Sequence, residues 1–179
     1  MFKYGMDRRT EGRRRALDRN LEKARERMRD VTPLKRDCGR LCGAACCSPD
    51  EDGQGGMLLF PGEEELYDPL PEGFEITMTP QGRLLVCGGF CDRALRPLSC
   101  MLFPLWIREG KDGAARVETD RRGRYVCPLT EFGPRALDPA FVRAAEEAGS
   151  LLLQSEEQRA FLNRVAEQID LLGRDWLEE

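Results

Sequence analysis

The chain has 179 residues, of which 41% are hydrophobic, and a net charge of −4. That is long enough for one domain with a core and too apolar for a disordered chain. No apolar run approaches the ~20 residues a membrane-spanning helix needs, and the absence of histidine removes Ser–His and Cys–His nucleophile pairs.

The N-terminal residues, Met1 to Arg8, have no apolar stretch and no small-residue cleavage site, so the expected compartment is the cytoplasm. Residues 1–36 hold 13 Lys/Arg against 6 Asp/Glu, a surplus of seven positive charges that leaves −11 for the rest. Both signs alternate at helical spacing, as in Glu22, Lys23, Glu26 and Arg27, which describes a solvated helix face. Nucleic acid is therefore not an expected partner, whereas a protein partner for this basic arm is an open alternative. Leu17, Leu21, Ala24 and Met28 form a narrow apolar stripe, predicting one exposed helix over 7–30 that stops before Pro33.

Residues 38–56 are rich in Cys and Gly and poor in apolar side chains, so a loop ordered by something other than packing is expected, with metal the obvious agent. A phosphate loop is disfavoured, because no strand precedes the glycines and no Gly-Lys-Ser/Thr follows. Met57–Phe60 reads as a short strand, and Glu63–Tyr67 as a helical turn with acids at its start. Phe74–Met78 and Arg83–Cys87 read as strands joined by a Thr79-Pro80-Gln81-Gly82 turn. A second hairpin is predicted from Ala115–Thr119, a turn at 120–123 and Arg124–Cys127. Asp138-Pro139 starts a helix that Gly149 should close. Ser155 and Gln158 suggest a capping box for a last helix. Its buried face would be Phe161, Leu162, Val165, Ile169 and Leu172, with Gly173 as its stop.

The chemistry concentrates in eight cysteines: Cys38, Cys42, Cys46, Cys47, Cys87, Cys91, Cys100 and Cys127. None lies in the N-terminal arm or the C-terminal helices. Four thiols within ten residues are awkward as ordinary packing but sensible if thiolates converge on a positive centre. Without histidine the ligands must be thiolate, with Asp92 or the Asp50–Asp52 run as second choice. All-thiolate sets suit zinc and iron–sulfur clusters, while Rieske-type and mixed Cys/His sites are excluded. Four disulfides fit poorly with the expected compartment, and a metal-free redox relay lacks the usual C-x-x-C pair. Zinc sites usually use pairs separated by two residues. Here the gaps are three or none, and adjacent cysteines seldom reach one mononuclear ion together, so an iron–sulfur cluster, such as a 4Fe-4S centre, is preferred to zinc.

At these residues the chain resembles the YkgJ-like cysteine-cluster family, a zinc- or iron-chelating domain. The resemblance rests on Cys38, Cys42-Gly43, Cys46-Cys47, Cys87, Cys91, Arg96-Pro97, Cys100 and Phe103-Pro104. The segment from Gly56 to Glu64, and Cys127-Pro128-Leu129, look like a bacterial branch of it. It spans roughly residues 38–129 and implies metal binding without a settled activity. The spacing in the first motif is wider than the family's usual one, which leaves open which of Cys46 and Cys47 is a ligand. Arg96 either offsets thiolate charge or pairs with an acid such as Glu64.

The expected fold is α+β: a small irregular antiparallel sheet, a cysteine-rich metal-bearing loop region and flanking helices. The expected organisation is a basic helical arm (1–36), a cysteine-cluster core (37–132) and a C-terminal helical pair packed on it (133–179). The expected function is metal binding through the eight cysteines, with no clear catalytic site. Iron–sulfur accessory or electron-transfer work and a metal-stabilised interaction module are the alternatives. The first cysteine group, 38–47, and the second, 87–100, are expected to share metal.

Overall fold

A computed structural model describes residues 18–36, 38–47, 56–87 and 92–174, with side chains through 171. The chain is α+β, with two small antiparallel sheets and helices at both ends.

Helix α1 (Arg19–Met28) begins where the Asp18 side chain accepts from Asn20 N and Leu21 N, supplying orphan first-turn amides with an acceptor. The stripe predicted along it is real: Leu21, Ala24 and Met28 are fully buried. They pack mainly against α4 (Pro139–Leu152), more than a hundred residues later. A backbone bond from Asp138 N to Pro33 O, 2.9 Å, closes the ends of the intervening segment beside that helix pair. The part of the predicted helix before residue 18, including Leu17, lies outside the described residues.

The first sheet has the order β1-β3-β2, with β1 (Met57–Leu58), β2 (Phe74–Thr79) and β3 (Gly82–Cys87). Its hairpin pairs Phe74 with Cys87 and Thr79 with Gly82. Gly82 takes φ +141°, which favours a residue without Cβ. Strand β1 is shorter than predicted, but Leu59 and Phe60 continue it as buried chain. Glu63–Tyr67 forms the expected turn as a 3₁₀ helix.

The second sheet corrects the sequence reading. Strand β5 (Ala115–Thr119) pairs with β4 (Leu105–Glu109), Leu105 opposite Thr119 and Glu109 opposite Ala115. Arg124–Cys127 is not a strand. The Asp120 carboxylate accepts from Arg122 N and Arg122 Nε, and the chain coils into a 3₁₀ turn over Arg121–Gly123. Local side-chain bonding of this kind competes with a strand ladder.

Helix α4 starts as predicted, with Asp138 accepting from Ala140 N at 2.8 Å. It runs on to Leu152, however, and Gly149 sits inside it. A Cβ there would lie 2.8 Å from Ile107 Cγ2 and 2.9 Å from Ala115 Cβ, so the glycine permits close approach to the second sheet. Helix α5 (Glu156–Arg174) likewise passes through Gly173. Gln158 does not close a capping box: its Nε2 donates to Pro61 O at 2.9 Å instead, and it is fully buried. Phe161, Leu162, Val165 and Ile169 are buried as predicted. Phe161 packs on Phe60 (ring centroids 4.9 Å) and Trp106 (6.0 Å), and Trp106 Nε1 donates to Leu162 O. Each such aromatic pair contributes about 0.5–1.5 kcal/mol beyond area burial. Among the described residues no helix is long and apolar enough to cross a membrane.

Candidate metal centre

Residues 38–47 are more structured than a loop. Cys38 precedes a one-turn helix, α2 (Gly39–Cys42), and Ala45–Cys47 forms a 3₁₀ turn. Between them Gly43 (φ 63°) and Ala44 (φ 57°) are both left-handed. For alanine that conformation costs roughly 1–2 kcal/mol. It reverses the chain, so that Ala44 N reaches Gly39 O and Cys47 N reaches Ala44 O, each at 2.8 Å. Along this segment Cys42 Sγ lies 3.8 Å from Cys38 O, and the Cys46 and Cys47 sulfurs are 4.0 Å apart.

The remaining thiols come from distant segments. Cys87 ends β3. Cys100 sits in α3 (Leu98–Leu102), a short helix the sequence did not reveal. Cys127 follows the 3₁₀ turn, its amide bound to Gly123 O and its carbonyl accepting from Thr130 Oγ1. Cys91 and the Asp50–Asp52 run lie outside the described residues. Asp92 caps a 3₁₀ turn by accepting from Ala94 N.

Two adjoining cavities gather these thiols. One, of about 150 Å³, is bordered by Cys38, Cys42, Cys46 and Cys127 together with apolar Leu34, Leu41, Phe103 and Val126. The other, about 20 Å³, is bordered by Cys46, Cys47, Cys87 and Cys100. All seven described cysteines therefore border one or the other cavity, as free thiols. As they stand, no three described His, Cys, Asp or Glu side chains form a group that could hold an ion.

The thiols already polarise one another. Cys100 and Cys46 donate toward Cys47 and, with the Arg96 charge nearby, hold its thiol down at about 3. Donation to Cys47 and burial push Cys46 and Cys100 up. Burial, with Cys42 nearby, pushes Cys127 up as well. The Arg96 charge acts on the Cys47 thiol, and Glu64 pairs with Arg83.

Glu63 was missed as part of this architecture. It is fully buried and accepts from Phe60 N at 3.0 Å, Leu98 N at 2.7 Å and Arg25 Nη1. It thus ties α1 and the end of β1 to the first residue of α3, two residues before Cys100. The acidic run Glu63-Glu64-Glu65 disguised it, since such runs usually face water. A comparison of the chain with family models, curated proteins and solved structures finds no match.

Proposed function

We propose that this protein holds a metal centre, an iron–sulfur cluster or zinc, through cysteine thiolates. The observation that carries the reading is that seven cysteines, from residues 38–47, 87, 100 and 127, line two cavities that share Cys46. The donor set fits: it is wholly sulfur, which suits both zinc and iron–sulfur, and Arg96 lies where it offsets thiolate charge. The resemblance to the YkgJ-like family points the same way. Bound metal would cross-link the α2 segment to β3, α3 and the segment after β5.

The adjacent pair is no longer an argument against a mononuclear ion. Four sulfurs at ~2.3 Å from a tetrahedral ion lie about 3.8 Å apart, close to the 4.0 Å between Cys46 and Cys47. Elemental analysis and visible absorption of anaerobically purified protein test the reading. Stoichiometric iron with sulfide, or stoichiometric zinc, is the expected result. Metal-free protein that takes up neither zinc nor reconstituted cluster, with every thiol still open to alkylation, would overturn it.

A further inference from the structure

A strand at the edge of a sheet carries a row of N–H and C=O groups that another chain can pair with, and proteins blunt such edges by shortness, charge, proline, bulges or cover. Among the described residues the two sheets have four edge strands. Strand β1 is two residues long. Strands β4 and β5 carry Arg108, Glu109, Arg116 and Glu118, and α4 and α5 pack against their sheet. Strand β2, Phe74-Glu75-Ile76-Thr77-Met78-Thr79, has none of these protections. It is six residues long, its pairing with β3 is unbroken, and its single charge is Glu75.

The register fixes which groups face outward. Leu59 N donates to Arg83 O, so β3 bonds to β1 through Arg83 and Leu85 and to β2 through Gly82, Leu84 and Val86. Their partners Thr79, Thr77 and Glu75 turn their backbone groups inward, and those of Phe74, Ile76 and Met78 point away from the sheet. Phe74 N donates to Pro71 O at 3.1 Å, and among the described residues Ile76 and Met78 make no backbone bond on that side. The same three residues share a face of the sheet. There Phe74 and Ile76 pack on the small cluster of Leu59, Tyr67 and Leu85, and Met78 is 74% exposed.

We propose that β2 pairs antiparallel with β2 of a second copy of this chain, about a twofold axis at Ile76. A twofold interface must be self-complementary, and this strand is. Ile76 faces itself and exchanges both backbone bonds, Phe74 faces Met78 of the second copy, and Glu75 faces Thr77. All three outward residues are used, no charge opposes a like charge, and an aromatic ring covers Met78. An axis at Glu75 would instead oppose two carboxylates and leave Met78 unpaired. A strand from another protein would satisfy the backbone as well; a second copy is favoured because the side chains also match in the register that uses every outward group. The two three-stranded sheets become one, and the clusters around Tyr67 join into a single apolar face. A seam of one six-residue strand lies at the low end of interface size, so the dimer should be weak and concentration-dependent.

The test uses the full chain, kept reduced so that thiol cross-links cannot mimic association. Sedimentation equilibrium from low micromolar to near-millimolar concentration should show the mass rising toward twice that of the monomer. Amide exchange at Ile76 and Met78 should slow as concentration rises, while Glu75 and Thr77, bonded to β3, stay protected throughout. Met78→Lys sets a charge against Phe74 of the second copy and should return the chain to monomer, whereas Met78→Leu should keep the dimer. Circular dichroism checks that both variants fold, and the exchange pattern of the unaltered chain decides the matter even where a variant does not. A monomer at every concentration, a dimer whose Ile76 and Met78 amides exchange unchanged, or a dimer that survives Met78→Lys would overturn the pairing. So would protection of the Ile76 and Met78 amides in the monomer, since this chain itself would then cover the edge.

Discussion

Replacing Glu63 by alanine takes the acceptor from three donors, the Phe60 and Leu98 amides and Arg25 Nη1, and leaves the guanidinium only the Ala94 carbonyl, 3.5 Å from Nη2. Arg25 is itself only 13% exposed, so water cannot readily take the carboxylate's place. Removing one partner of a buried ion pair costs about 3–5 kcal/mol. At ~2–4 °C per kcal/mol for a chain of this size, Tm should fall by roughly 10 °C. Urea denaturation followed by circular dichroism measures the loss directly. Arg25→Ala together with Glu63→Ala should cost clearly less than the sum of the singles, because the stranded charge is gone. The pH dependence has a sign as well. Burial, outweighing Arg25 and the two amides, pushes the Glu63 carboxyl above its ordinary 4.5. Above 4.5, until the raised folded value is passed, the native state binds more protons than the unfolded one, so this group's contribution falls as pH rises. The stability advantage over Glu63→Gln should therefore shrink from pH 4 upward. A Glu63→Ala loss below about 1 kcal/mol would refute the claim that Glu63 is the tie holding α3.

Gly149→Ala should destabilise the chain by about 1–2 kcal/mol, although alanine is the better helix former by ~1 kcal/mol. Denaturant titration checks this, since the new methyl would collide with Ile107 and Ala115. Cys100→Ser should lower the metal content of purified protein, with α4 and α5 intact by circular dichroism; unchanged stoichiometry and melting would contradict its role as a ligand. Strong chelator under reducing conditions should raise amide exchange in residues 38–47 while residues 144–148 and 161–169 stay protected. Arg108→Met should cost about 1–2 kcal/mol, because Arg108 bridges β4 to Ala166 O and Asp170 on α5 and pairs with Glu118.

What the sequence made legible was local. The α1 stripe, the β2–β3 turn and the Asp138-Pro139 start each lie within a few residues of their cause. The β4–β5 pairing was hidden because Leu105, Trp106 and Ile107 are all buried, and a continuous apolar run has no alternation to betray a strand. Gly149 looked like a helix stop because its real reason, contact with β4 and β5, exists only in three dimensions. At the site, the segregation of the cysteines was visible from counting. Cys127 borders one cavity with Cys38, Cys42 and Cys46, and Cys87 and Cys100 border the other with Cys46 and Cys47. The left-handed turn at Ala44 was not visible, since alanine ordinarily favours a right-handed helix.

The pairing of α1 with α4, latched by Pro33 O and Asp138 N, has a consequence for how the thiols find one another. Every cysteine lies between those two helices, inside a loop of about a hundred residues. Joining the ends of so long a loop costs conformational entropy that grows with the logarithm of its length. Apolar packing of Leu21, Ala24 and Met28 already offsets that cost, with no help from ligation. The thiols consequently sit at a high effective concentration toward each other before any ion arrives. On the proposed metal-binding reading, an ion would have only a local rearrangement to drive, and loading would not require refolding of the helical core.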